Sequence, residues 1–106
     1  MDRFNITDSG ARGWFIGNFP EAVFKTEDFE VCYQVNERTY TESHYHSEVT
    51  EITLVIRGKV LLNGQIFLPG EIHVLHPGEI SQLEYLEPSE VVTIKTPSRP
   101  EDKHLL

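Results

Sequence analysis

Apolar and polar residues alternate along much of this chain with the two-residue period of a strand, and no stretch shows a long helical period. Phe29, Val31, Tyr33 and Val35 alternate with Glu30, Cys32 and Gln34, which predicts a half-buried strand over residues 29–35. Residues 52–56 are apolar at nearly every position, as in a strand covered on both sides. Shorter strands are expected at 22–25, 59–62, 65–68, 72–76, 82–85 and 91–95. Over residues 39–46, Thr39, Thr41 and Ser43 fall on one side and Tyr40, Glu42, His44 and His46 on the other. That second, polar row suits a wet pocket better than a dry core. Turn signals separate these segments: Asn36-Glu37-Arg38, Gly58, Pro69-Gly70 and Pro77-Gly78. Asn63-Gly64 predicts a hairpin, because a type I′ turn needs positive φ at both central residues. Short strands punctuated about every 8–12 residues point to an all-β sandwich or barrel.

At 106 residues the chain suggests a single domain with room for one modest core. Residues 1–28 read as an N-terminal arm and edge strands packing on the barrel, 29–96 as the barrel, and 97–106 as a tail draped over the surface. The aromatic cluster Trp14-Phe15-Ile16 is read as a short edge strand covering one end of the barrel, in preference to a contact with a second subunit.

Charge narrows the partners. Seventeen acidic residues against nine Lys and Arg give a formal charge of −8, with the basic residues scattered singly. Nucleic acid is therefore not expected as a partner, since phosphate contacts dominate such affinity and need a basic patch. A small anionic ligand stays compatible, because a few local residues can override the net charge. No apolar run approaches the ~20 residues that span a bilayer, and the first residues lack a signal-peptide pattern. Cys32 is the only cysteine, so no intrachain disulfide forms. A reducing cytoplasm without membrane association is the expectation.

The chemistry concentrates between His44 and Gly58. His44 and His46 stand two apart, so a strand aims both imidazoles to one side. Glu51 lies at an odd offset from His46 and an unbroken strand would face it away. The polar stretch Ser47-Glu48-Val49-Thr50 can break the strand and reset the parity, returning the carboxylate towards the imidazoles. Two neutral imidazoles and a carboxylate on one face form a ligand set for a divalent metal. Glu48 and Glu42 are read as solvated surface carboxylates, as are Glu84, Glu87 and Glu90.

The spacing HxH, four residues, Glu, six residues, Gly resembles the first motif of the cupin superfamily, small double-stranded β-helix barrels of jelly-roll type. Pro69-Gly70-Glu71-Ile72…Pro77-Gly78 resembles that family's second motif. The likeness spans roughly residues 30–96, and the tail is also similar, more weakly, to small stand-alone cupins of polysaccharide and nucleotide-sugar biosynthesis. The resemblance implies that His44, His46 and Glu51 take three of four customary metal-ligand positions, for an ion such as Fe, Mn, Zn or Ni. The fourth, usually histidine, falls on Ser81, a poor ligand beside an imidazole. His73 and His76 are the candidate substitutes, with His76 preferred for its place near the second Pro-Gly turn. The resemblance also implies a homodimer.

Three functions follow as expectations. The first is a small cupin holding a divalent metal and a small polar, sugar-like ligand. The second is a metal-free nucleotide-sugar isomerase or epimerase, with His44 or His46 as base and Tyr33, Tyr40 or Tyr85 as acid; Tyr45 should point away from the histidines. The third is a non-catalytic ligand-binding or sensor module.

Overall fold

The structure is a computed structural model that describes residues 1–37 and 39–106. Arg38, in the turn expected at 36–38, lies outside the described residues. Among the described residues eleven strands run in chain order: β1 (Trp14–Gly17), β2 (Phe24–Lys25), β3 (Glu30–Asn36), β4 (Tyr40–Tyr45), β5 (Thr50–Arg57), β6 (Val60–Leu62), β7 (Gln65–Phe67), β8 (Ile72–Leu75), β9 (Ile80–Tyr85), β10 (Ser89–Thr96) and β11 (His104–Leu105). They form a six-stranded sheet, ordered β2-β1-β3-β10-β5-β8, and a five-stranded sheet, ordered β11-β4-β9-β6-β7. Every pairing but β1–β2 is antiparallel. Among the described residues, no helix is long and apolar enough to cross a membrane.

The Asn63-Gly64 turn joins β6 to β7 with φ of 50° and 79°, the positive pair a type I′ turn requires. Gly58 closes β5 at φ 97°, where a Cβ would lie 2.2 Å from Ser89 Oγ. Only glycine fits a backbone held that close.

The inner faces of the paired strands change character along their length. On β5 the inward residues run Val55, Thr53, Glu51; on β10 they run Val91, Thr93, Lys95, and the register sets each beside its counterpart. Val55 and Val91 join Val60 and Tyr85 from the other sheet, with Phe67 and Leu83 against them, in the apolar core. Thr53 and Thr93 form the next layer, their hydroxyls 3.0 Å apart. Glu51 and Lys95 lie beyond. The sheets are thus closed by hydrophobic packing at one end and left polar at the other.

Three features differ from the sequence expectation. On β3 it is Glu30 and Cys32 that are buried, at 4% and 1% exposure, while Phe29 and Val35 are exposed. Alternation fixes which residues share a face but not which face turns inward, and here the polar end of the barrel claims Glu30. Burial pushes the Cys32 thiol up to about 11, so it stays protonated. Second, β1 is not an edge strand: it is paired on one side with β2 and on the other with β3. The tail also does more than drape, since β11 pairs with β4 opposite His44 and Tyr45.

Candidate metal centre

Strand β4 carries Glu42 and His44 on its inward face, and His46 follows just beyond its end; His44 and His46 are 4% and 5% exposed. The chain then leaves the sheet at Ser47 and Glu48, which are exposed, and returns through buried Val49 into β5. That excursion resets the parity and brings Glu51 to the imidazoles. Glu51 Oε2 lies 3.7 Å from His44 Nε2 and 3.6 Å from His46 Nδ1. One ligand atom from each of the three residues falls within 4.8 Å of the other two. The two rings meet edge to face with centroids 5.0 Å apart.

These distances are too long for hydrogen bonds. His44 Nδ1, His44 Nε2 and His46 Nε2 are buried without a hydrogen-bond partner. Orphaned imidazole nitrogens are costly in a protein interior; one of them, His44 Nε2, faces Glu51 together with His46 Nδ1, an arrangement that a divalent ion would satisfy. Burial, with the nearby Lys95 charge, lowers the His46 pKa to about 4, so its ring is neutral and free to donate a lone pair at pH 7. Burial raises Glu51, but His44 and the Lys95 and His46 charges outweigh it and hold the carboxyl below its usual range.

The loop between His46 and Glu51 is held from the tail. Asp102, 6% exposed, accepts Ser47 N at 3.1 Å and Ser47 Oγ at 2.5 Å on Oδ1, and Glu48 N at 2.8 Å and Val49 N at 3.1 Å on Oδ2. His104 Nε2 lies 3.1 Å from the same Oδ1 and its ring stacks on Tyr45, 4.8 Å between centroids. Tyr45 accordingly points away from the histidine pair. Burial raises the Asp102 carboxyl, but the Ser47 hydroxyl, the Glu48 and Ser47 amides and His104 more than offset it and hold the group far below its ordinary value.

A cavity of about 440 Å³ opens beside the triad, and His44, Glu51, His73, Tyr85, Lys95 and Trp14 are among its lining residues. Ser81, 2% exposed, sits opposite His44 in the β4–β9 register. His73 and His76 are placed opposite to the preference for His76. His76 is exposed past the end of β8, whereas His73 is 9% exposed with its Nδ1 unpartnered and its ring 5.0 Å from Phe67. Strand parity decides it: His73 and Leu75 point in, Ile72 and Val74 out. Neither histidine joins the three-residue ligand group among the described residues.

Of the tyrosines, Tyr33 faces outward, its hydroxyl donating to Glu90 beside Arg57, away from the histidines. Tyr40, 44% exposed, donates to Glu42 Oε2 at 2.7 Å. Tyr85 is buried within the cavity. The Glu42 bond pushes Tyr40 up to about 12, and burial does the same to Tyr85, so both remain protonated donors near neutrality.

No family model matches the chain, and no curated protein sequence matches it. Solved structures do. KdgF from Halomonas sp. superposes with a TM-score of 0.63 at 26% identity, over 70% of this chain and 73% of that one. A sugar phosphate isomerase from a cupin superfamily, from Silicibacter pomeroyi, superposes with a TM-score of 0.54 at 19% identity over 65% of this chain, which spans half of its length. By fold, the chain is a small cupin. Pac13 from Streptomyces, a nucleoside dehydratase, matches this cupin over its whole length and over 91% of Pac13, with a TM-score of 0.70 at 13% identity.

Within the cupin barrel three residues escaped the sequence reading. Glu42 is not a surface carboxylate: its side chain is 11% exposed, 3.5 Å from His44 Nδ1, and ion-paired with Lys103. Burial raises it, but Lys103 and Tyr40 outweigh that and lower its pKa. Its place on the inward face was already written in the alternation with His44. Lys95 is 8% exposed, its ammonium 4.6 Å above the Trp14 ring and 4.0 Å from Glu30. Its spacing from Val91 and Thr93 was the signal. Nothing local in the sequence marks Asp102, which acts across more than fifty residues.

Proposed function

We propose that this small cupin holds a divalent transition-metal ion at His44, His46 and Glu51 and binds a small polar molecule beside it in the barrel cavity. The observation that carries this reading is the convergence of two buried imidazoles, through the unpartnered His44 Nε2 and through His46 Nδ1, on the Glu51 carboxylate at the wall of a cavity. A bound divalent ion with only three protein ligands supplies Lewis acidity and open positions for water or a ligand oxygen. The chain's own part is to keep His46 neutral, orient His44 between Glu42 and Glu51, and offer hydroxyl donors from Tyr85 and Ser81. Elemental analysis of untagged protein tests the assignment: about one equivalent of metal is expected, lost in His44→Ala and in His46→Ala. Full metal content in His44→Ala would refute it.

A second reading is a metal-free isomerase or epimerase, in which a neutral imidazole takes a proton next to a carbonyl and Tyr85 returns one. It draws support from His44, His73 and Tyr85 lining one cavity. Solvent deuterium incorporation into keto-sugar nucleotides by metal-stripped protein separates the two. The buried, protonated Cys32 accords with a proposed cytoplasmic location.

A homodimer is proposed on the outer face of the six-stranded sheet. Val31, Ile94, Ile52 and Val74 form one cross-strand row there and Tyr33, Val92, Leu54 and Ile72 the next. Neither row contains a charged residue, and an uncharged apolar face is self-complementary about a two-fold axis. Sedimentation equilibrium tests it: a single species of about 12 kDa at high micromolar concentration would refute it.

A further inference from the structure

The inner face of the six-stranded sheet sets Lys95 between Glu30 and Glu51, its register partners on β3 and β5. The Lys95 side chain is 10% exposed, and its Nζ lies 4.0 Å from Glu30 Oε1, beyond hydrogen-bond reach. Glu30 Oε2 is engaged elsewhere, accepting Ser98 Oγ at 2.8 Å. Trp14 fixes the ammonium from above, with Nζ 4.6 Å from the ring centroid. A buried ammonium with three donors therefore borders the cavity without a hydrogen-bond acceptor among the described residues. At the mouth, the other lysine, Lys103, is already committed to Glu42.

We propose that Lys95 is the anion-recognition residue of the cavity, so that the ligand is a small molecule carrying an oxyanion, carboxylate or phosphate, which Lys95 binds beside the metal. This rests on the metal reading above. A divalent ion would engage Glu51 and leave Lys95 with Glu30 alone, so ion, Lys95, Glu30 and Glu51 together carry one positive charge in excess. In a low-dielectric pocket that excess selects an anion over a neutral molecule of equal shape. The strongly acidic chain thus holds a local site of the opposite preference.

The test compares pyruvate with its uncharged isostere pyruvamide on zinc-loaded protein. The only tryptophan lies against the Lys95 ammonium, so its emission reports ligand arrival. Pyruvate is expected to change Trp14 emission saturably, with pyruvamide binding about tenfold or more weaker, the range of one charge-assisted contact. Lys95→Met should erase that preference while zinc affinity, measured separately by chelator competition, holds or rises because a like charge is gone. Since Lys95→Met strands Glu30, the double variant Glu30→Gln/Lys95→Met repeats the comparison with the buried charge removed. Equal binding of the two probes by wild type, or a preference that survives in a folded variant, overturns the inference. Failure of zinc to bind the wild-type protein would refute the metal reading and overturn this inference with it, because without the ion Lys95, Glu30 and Glu51 carry a net negative charge; zinc binding with equal affinity for the two probes overturns this inference alone.

Discussion

Replacing Asp102 with asparagine tests whether the C-terminal tail holds the metal ligands in place. The two carboxylate oxygens divide the work: Oδ1 serves Ser47 N, Ser47 Oγ and His104, while Oδ2 serves Glu48 N and Val49 N. An amide supplies one acceptor, so its NH₂ must face one of these donor sets. Val49 is 1% exposed, and its stranded N–H costs about 1–3 kcal/mol because water does not reach it. Glu48, which shares Oδ2 with Val49, is exposed and regains water, so its lost bond costs roughly 0.5–1 kcal/mol, and the Ser47 bonds, kept on the amide oxygen, weaken by a similar amount as the charge disappears. The total is about 3 kcal/mol, or on the order of 12 °C in melting temperature at about 4 °C per kcal/mol. The loop joining His46 to Glu51 loosens with it, and metal affinity is expected to fall ~10–100-fold, as when a residue supporting a ligand is lost.

The sign of the pH dependence follows from the lowered Asp102 pKa. Its stabilisation is fully present above the unfolded value of ~3.9 and is lost as pH falls through the depressed folded value. Wild type and Asp102→Asn should therefore differ most above about pH 5 and converge as the medium becomes strongly acidic. Thermal melts by circular dichroism between pH 2 and 7, with metal titrations at pH 7, measure both effects. A variant melting within 2 °C of wild type at pH 7 with unchanged metal affinity would refute the reasoning.

Further outcomes are expected. Ser81→His places an imidazole opposite His44 at the customary fourth-ligand position and should tighten metal binding by at least about tenfold in chelator competition. Glu51→Gln removes the anionic ligand and should weaken metal binding without unfolding the barrel, since a neutral amide of equal size replaces the buried carboxylate. Gly58→Ala forces a Cβ within 2.2 Å of Ser89 Oγ and 2.5 Å of Pro88 O at positive φ, and should cost about 2 kcal/mol or more in urea unfolding. Tyr33→Phe, on the outer face, should leave metal content and ligand binding unchanged, whereas Tyr85→Phe should weaken binding of polar ligands in the cavity.

The sequence by itself determined the strands, the turns and the clustering of His44, His46 and Glu51, because these depend on spacing a few residues long. HxH places two side chains on one face, Asn-Gly adopts two positive φ values, and a polar break resets parity before Glu51; each is local geometry. Ten of the eleven strands coincide with sequence-predicted segments in this way, and β11 does not. Tertiary structure decided what alternation leaves open, namely which face of each strand turns inward. Glu30 and Cys32 rather than Phe29 and Val35, and His73 rather than His76, face the interior because the sheet partners set the orientation. It alone also brought together Lys95 with Trp14 and Asp102 with residues 47–49, pairs separated by more than fifty positions. Their contact follows from strand register and tail docking, and register is a property of the folded sheet that no short stretch of sequence contains.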